Sequence, residues 1–426
     1  MADLRQYLDE NVGVCIGELI LVHLLWADDL ILVSDSIAGL QKQLNGLCTF
    51  SKDNHAIVNG VKTKVMGIGT SERVDVYFNG KRIEQVEHYK YVGNILSAIT
   101  NIRSDTFTQN YKFLCDKGRN AIFKLFKDLK GIGILPPKIM LYLFDATVSP
   151  IVTYGSDNWG VNKVGTTAVD KIFLWYLKNV LKVKPTTSSV MVFGELGCLP
   201  PSTTCHINVF RYYNRLHNLP NTMVLKQAFN TLSNLTEQGF PTWITKVREL
   251  ARKYNLDLHS VNSKTFHRTC KQHILNFFIE NWNAELCNMN KNPILRTYTL
   301  FKSNFGFENY LQNVNDYRFR NAISKFRMSS HTLEVQRGRQ CKPKVPLHQR
   351  ICKYCNVLED EKHFLLQCPL YADLRNVLLI FIERKYPNFS SMTLDDKFIY
   401  ILQNQDSQIL TWLGKFLYRA FKKREQ

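Results

Sequence analysis

LLWADDLILVSDSIAGLQKQLNGL, residues 24–47, is the stretch on which the reading of this chain turns. Residues 14–33 read as two short β runs around a turn. The first run is rich in Ile, Leu and Val and ends at Trp26; the second is LILVS; Ala27-Asp28-Asp29 lies between them. After Ser34 the apolar spacing changes to three and four, with Ile37, Leu40, Leu44 and Leu47, which predicts a helix. Two adjacent aspartates at the tip of an apolar hairpin repel, and each raises the other's pKa. A divalent cation removes the conflict, and Mg²⁺ prefers hard carboxylate oxygens. Two-metal phosphoryl transfer needs carboxylates held on such a rigid tip. Most Asp-Asp pairs are solvated turns, so on these letters alone both readings stand. Aspartates in the middle of the stretch argue against a membrane span, and no membrane partner is expected.

Outward from this stretch, residues 74–96 return to short strands around Asn79-Gly80, a favourable hairpin turn. Beyond residue 105 the pattern becomes helical. Phe107, Tyr111, Leu114, Ile122, Leu125, Phe126 and Leu129 make one stripe; Val169, Ile172, Phe173, Tyr176, Leu177, Val180 and Leu181 make a second. Both are expected to be helix core. Pro136-Pro137, Pro150 and Pro185 punctuate the helices. The fold class is therefore α+β, strands first and helices after. No fixed-period repeat and no low-complexity linker is visible.

The chain has 426 residues, enough for two or three domains with real cores, and 55 Lys and Arg against 36 acids give a net charge of +19. Such an excess attracts polyanions, nucleic acid first among them. Eleven cysteines, an odd number, follow a polar start, MADLRQYLDEN, without an apolar leader. The expectation is a reducing, intracellular setting, nuclear and/or cytoplasmic, with thiols available to metal.

Residues 351–375, ICKYCNVLEDEKHFLLQCPLYADLR, hold Cys352, Cys355, His363 and Cys368 in the spacing Cys-x2-Cys-x7-His-x4-Cys. Two cysteines two residues apart form a tight knuckle, and a His and a Cys five apart close a tetrahedron around Zn²⁺. Zinc is expected to supply folding energy to a segment with little core of its own. Cys341 and His348 lie near but fit the spacing less well. Residues 318–353 carry ten Lys or Arg against one acid, Glu334. A solvated loop and a phosphate-contacting surface compete there; the second is preferred because the stretch leads into the metal motif. Arg327, Arg337 and Arg339 are the expected phosphate contacts, since a guanidinium can hold a phosphate with two bonds. Tyr354, Phe364 and Tyr371 either stack on unpaired bases or form knuckle core, and for Phe364 core is the stronger reading. The last residues, GKFLYRAFKKREQ, read as an amphipathic basic helix.

Taken in order, these segments resemble the reverse transcriptases of non-LTR (LINE-type) retrotransposons. The family has an aromatic residue, Ala-Asp-Asp, an apolar strand and a polar helix, here from Trp26 onward. It then has Asn followed by Lys-Thr, here Asn59, Lys62 and Thr63 in VNGVKTKVM. A hairpin with an aromatic-Leu-Gly turn follows, here Tyr91, Val92 and Gly93 in HYKYVGNIL. SPIVTYGSDNWG, ending at Gly160, and FGELGCLPP (193–201) look like segments that follow the polymerase core. The Cys/His segment looks like the family's C-terminal zinc motif. Trp26 departs from the usual Tyr or Phe.

The resemblance implies roles. Asp28 would be the main Mg²⁺ ligand of this motif and Asp29 its partner, with Lys62 near the triphosphate as candidate proton donor. Tyr91 and Gly93 would belong to the hairpin supporting the primer terminus. It also implies a partial reverse-transcriptase palm over 1–100 and a helical thumb-like region over 101–230. A helical basic connector over 231–345 and a zinc knuckle with C-terminal helices over 346–426 would complete the chain. The family's other essential aspartate and its fingers would lie before Met1, so the Mg²⁺ site is expected to be incomplete. The implied enzyme is an RNA-directed DNA polymerase acting on template RNA, primer DNA and deoxynucleotides, inactive in this chain alone. The alternatives are a non-catalytic, zinc-dependent RNA- or DNA-binding protein derived from such an element, and a decayed copy without a cellular role.

Overall fold

The structure is a computed structural model that describes residues 2–98, 106–258, 263–288 and 292–425. The expected boundary at 100/101 lies outside the described residues. The chain divides into two compact units, each discontinuous in sequence: Met1–Gly118 with Ile151–Val169 and Ser202–His273, and Arg119–Pro150 with Asp170–Pro201 and Ile274–Gln426. No helix among the described residues is long and apolar enough to cross a membrane.

The first unit opens with four short strands, β1 (Val14–Ile16), β2 (Leu19–Leu21), β3 (His23–Trp26) and β4 (Asp29–Leu32). The first apolar run is thus not one strand. Gly17, at φ +64°, reverses it, so that Val14 pairs Leu21 and Ile16 pairs Leu19 before β3 begins. β3 and β4 then form the expected hairpin, closed by Trp26 opposite Asp29. The helix Ile37–Asp53 follows at the change of period. The side chain of Ser36 accepts from the Gly39 N–H at 3.1 Å and so caps its first turn. One face of this helix packs Leu47 and Phe50 against Leu4, Leu8 and Val22. Another packs Leu44 against Val65, Val74, Val76 and Ile83. Two faces are covered because the N-terminal turns with Val22 lie against one and the segment from Val65 to Ile83 against the other, which a single stripe did not foretell. Tyr77–Phe78 pairs with Lys81–Arg82 around Asn79 and Gly80, at φ +49° and +74°, the left-handed pair a two-residue turn needs.

The two apolar stripes are helices Thr108–Leu129 and Lys163–Val180. In the second unit Tyr176 is wholly buried and donates to the Met140 carbonyl at 2.7 Å, tying its helix to Pro137–Thr147. Helix Tyr317–Arg327 packs along helix Ser407–Arg424; a Cβ on Gly414 would come within 2.6 Å of Phe319, so glycine lets the two backbones approach.

Candidate functional sites

Around the knuckle, Cys352 and Cys355 sit on a reversal. The Asn356 N–H bonds the Cys352 carbonyl at 2.9 Å, the Cys352 N–H bonds the Val357 carbonyl at 2.7 Å, and Asn356 takes φ +53°. His363 and Cys368 bracket a widened helical turn, where the Cys368 N–H reaches the His363 carbonyl at 2.9 Å. The Asp360 carboxylate accepts from the His363 N–H at 2.9 Å and holds the entry to that turn. These folds bring one ligand atom from each residue within 4.8 Å of the others. Sγ of Cys368 lies 3.9 Å from that of Cys352 and 3.7 Å from that of Cys355. A Zn–S bond of about 2.3 Å gives tetrahedral S–S edges of about 3.8 Å, so the sulfurs are already at zinc spacing and too far apart for disulfides. Nε2 of His363 is buried and has no hydrogen-bond partner, an orphan that a cation would satisfy. Burial pushes the Cys368 thiol up to about 12, and burial together with the Cys352 sulfur raises Cys355. Burial lowers His363. The four residues fit one zinc ion, whose binding would release the thiol protons.

The knuckle is not poor in core. Phe364 is fully buried, stacked on Phe421 at 4.6 Å between centroids and packed against Tyr371 at 4.6 Å and Phe326 at 6.0 Å. Phe364 and Tyr371 are therefore core, while Tyr354 is 71% exposed. The acidic run Glu359-Asp360-Glu361 faces inward. Arg424 donates to both Glu359 oxygens, at 3.0 and 2.7 Å. Glu361 meets His331 at 3.0 Å and Thr297 at 3.0 Å. Burial opposes its ionisation, but the His331 hydrogen bond and charge outweigh it and hold the carboxyl down at about 2. Arg375 donates to the Leu366 carbonyl at 2.8 Å and to that of Cys368, fixing the last ligand.

Arg327 departs from expectation. It is 3% exposed, so it cannot be a phosphate contact in the folded chain. Its guanidinium holds both Glu195 oxygens at 2.9 Å, Glu308 at 3.0 Å and the Leu402 carbonyl, and lies 4.6 Å over the Phe301 ring. The helix Tyr317–Arg327 turns Arg320 inward as well, onto the Val314 carbonyl at 3.1 Å. Arg339 is half-buried and bonds Gln336 and the Pro293 carbonyl. Arg337 is exposed, as are Lys325, Lys342, Lys344 and Lys353. The basic surface is real but smaller than the residue count suggests. The sequence offered one clue: Glu195 sits alone in the apolar run VMVFGELG, and a buried acid needs a cationic partner. Which cation served it, 132 residues away, was not legible.

At the β3–β4 tip, Asp28 and Asp29 are exposed. Ala27 is held at φ +54°, a left-handed conformation that costs a non-glycine residue roughly 1 kcal/mol. Among the described residues they belong to no group of three or more potential metal ligands. The Asn59 side chain accepts from the Val61 and Lys62 N–H groups at 3.1 Å and folds the loop that presents exposed Lys62. The Tyr89 hydroxyl donates to the Lys62 carbonyl at 3.2 Å. Two residues on, and on the same face of the strand, the Tyr91 phenol is raised first by burial and then by the Asp29 carboxylate. Strand His88–Tyr91 thus touches the Lys62 loop, and its Tyr91 lies in the field of Asp29. Its turn places Val92 at φ +44° and Gly93 at φ +83°, and the Tyr154 hydroxyl donates to the Val92 carbonyl at 2.9 Å. A Cβ on Gly93 would lie 2.8 Å from the Tyr154 ring.

Fold and sites together define a basic, mainly helical chain with a Cys₃His group able to hold zinc and an exposed carboxylate hairpin. No family model matches the chain. It is similar to a curated protein of Caenorhabditis elegans described as a putative uncharacterized transposon-derived protein, at 28% identity over 149 residues, 34% of this chain and 50% of the relative. The match spans half of that relative's length. The similarity supports a transposon origin for the chain.

Proposed function

We propose that this chain is the C-terminal part of a non-LTR retrotransposon reverse transcriptase, with a partial palm, a helical thumb and connector, and a zinc knuckle. The observation that carries the reading is local. The Tyr89 hydroxyl meets the Lys62 carbonyl at 3.2 Å, and the Asp29 carboxylate adds to burial in raising the Tyr91 phenol, which supports reading the three motifs as parts of one site. In the whole enzyme Mg²⁺ bound by Asp28 and Asp29 would supply Lewis-acid chemistry to phosphoryl transfer. Asp28 and Asp29 would hold the ion, Lys62 would offer a proton to the leaving pyrophosphate, and the Tyr91–Gly93 hairpin would support the primer end. Two adjacent carboxylates give one arm of a two-armed clamp, so the chain by itself is expected not to polymerise. Incubation with primed RNA, Mg²⁺ and deoxynucleotides tests this. Extension above that of an Asp28→Ala control overturns the inactive reading.

A second reading is favoured by the completeness of the knuckle: a zinc-dependent RNA- or DNA-binding protein of the same descent, working in the nucleus. Exposed Arg337, Lys342, Lys344 and Lys353 with Tyr354 form its surface. Affinity of the whole chain for single-stranded RNA should fall steeply with salt. Binding indifferent to salt removes this reading.

A further inference from the structure

An open cavity of about 550 Å³ lies beside the Val92-Gly93 turn. Tyr91, Phe107 and Tyr154 provide aromatic wall; Asn94, Asp157 and Asn158 provide polar wall. The surround is built. The Asn110 side chain accepts from the Ile95 N–H at 2.9 Å and donates to Asn94 at 3.2 Å. The buried Trp159 indole N–H donates to the Tyr154 carbonyl at 2.8 Å, fixing the short helix Ser156–Trp159 that carries Asp157 and Asn158. No described residue forms an ion pair with half-buried Asp157.

A cavity of this size, with three aromatic and three polar residues in its wall, suits one planar heterocycle with its sugar. Among the described residues the wall holds no lysine or arginine, which argues against a phosphate there. Cations stand on the other face of the same hairpin, where Lys90 and Lys117 lie 5.4 and 4.5 Å from the Phe113 ring. Aromatic faces stack on any base. The carboxylate discriminates. An ionised Asp only accepts hydrogen bonds. Guanine alone among the common bases presents two neighbouring N–H donors on its pairing edge, the ring N1–H and the exocyclic amine, which match two carboxylate oxygens. In adenine, cytosine and uracil a donor on that edge is flanked by an acceptor, which the carboxylate repels.

We propose that this cavity is a subsite for an unpaired guanine of a single-stranded nucleic acid, with Asp157 reading the pairing edge and Tyr91, Phe107 and Tyr154 stacking. The proposal rests on the nucleic-acid-binding reading above. The test is an anisotropy titration of the full chain at fixed low salt with labelled five-nucleotide RNAs, all uridine except a central guanosine or adenosine. The guanosine strand should bind about tenfold tighter, the scale of one good bidentate contact. Asp157→Asn should erase the guanosine preference, or turn it toward adenosine, whose donor and acceptor an amide matches, and leave the thermal unfolding unchanged. Free guanosine, and not adenosine, should displace the strand from the unsubstituted protein, a readout that needs no variant. Equal affinity for the two strands, or a preference that survives Asp157→Asn, overturns the subsite while general binding stands. Absence of binding to either strand overturns both.

Discussion

At the knuckle the acids point inward: Glu359 is gripped by Arg424, Glu361 by His331 and Thr297, and Glu195 and Glu308 close on Arg327. At the β3–β4 tip the acids point outward: Asp28 and Asp29 are exposed on a turn whose first residue is strained. The inward acids are structure, because removing a partner strands a buried charge. The outward pair contributes nothing to the packing, so any role for it lies in what it binds. A buried charge in this chain reports the fold; the exposed pair is tested only by what it binds.

The largest effect should come at the metal cluster. The full chain should carry about one equivalent of zinc, and Cys368→Ser should lose it with on the order of 5 kcal/mol or more of stability, because binding energy is folding energy at such a site. Metal analysis and thermal unfolding check this. If Cys368→Ser keeps its zinc while Cys341→Ser loses it, the ligand set is wrong and the knuckle side of the comparison fails.

Next in size is Arg327→Ala. It leaves Glu195, which is fully buried, without its cation, and should cost roughly 3–5 kcal/mol. Binding of single-stranded RNA by the protein that remains folded should not change, whereas Arg337→Ala should weaken binding and spare stability. A stability loss under about 1 kcal/mol for Arg327→Ala in denaturant titration would mean that the inward charges are not structural.

Gly93→Ala should cost about 1–2 kcal/mol, since φ +83° strains any Cβ and the Tyr154 ring stands 2.8 Å from where it would go. Gly60→Ala, with open space around it, should be close to neutral. Equal effects for the two would show that the Val92-Gly93 turn is not held as described.

What could be read without the structure follows the same division. Periodicity placed the helices Ile37–Asp53, Thr108–Leu129 and Lys163–Val180, because an apolar stripe is a local signal. Cysteine spacing picked out the four residues of the Cys/His cluster, because a knuckle is local too. The three arginines were not legible as a set. All carry the same charge, and only long-range packing buries Arg327, half-buries Arg339 and leaves Arg337 in solvent. The strand break at Gly17 was missed because the apolar run continues across it. The 550 Å³ cavity was invisible because its walls come from residues 91–96, 107 and 154–158, which no local pattern joins.

The smallest effect concerns the outward pair, and it is the sharpest test of the contrast. Asp29→Asn removes one of two like charges at an exposed tip and should change stability by less than about 0.5 kcal/mol. Its consequence should appear at Tyr91 instead. Burial is the larger cause of that phenol's raised pKa and remains, but the Asp29 charge disfavours the phenolate and is gone. Ionisation of Tyr91 should therefore move down in pH, read by carbon-labelled tyrosine NMR against a Tyr91→Phe assignment control. Mg²⁺ held by the pair offsets the same charge, so adding it to the unsubstituted protein should move Tyr91 in the same direction, and it should do so less in Asp29→Asn. A Tyr91 signal that responds to neither change would separate the hairpin from the aspartates, and the gathering of motifs on that face would lose its support.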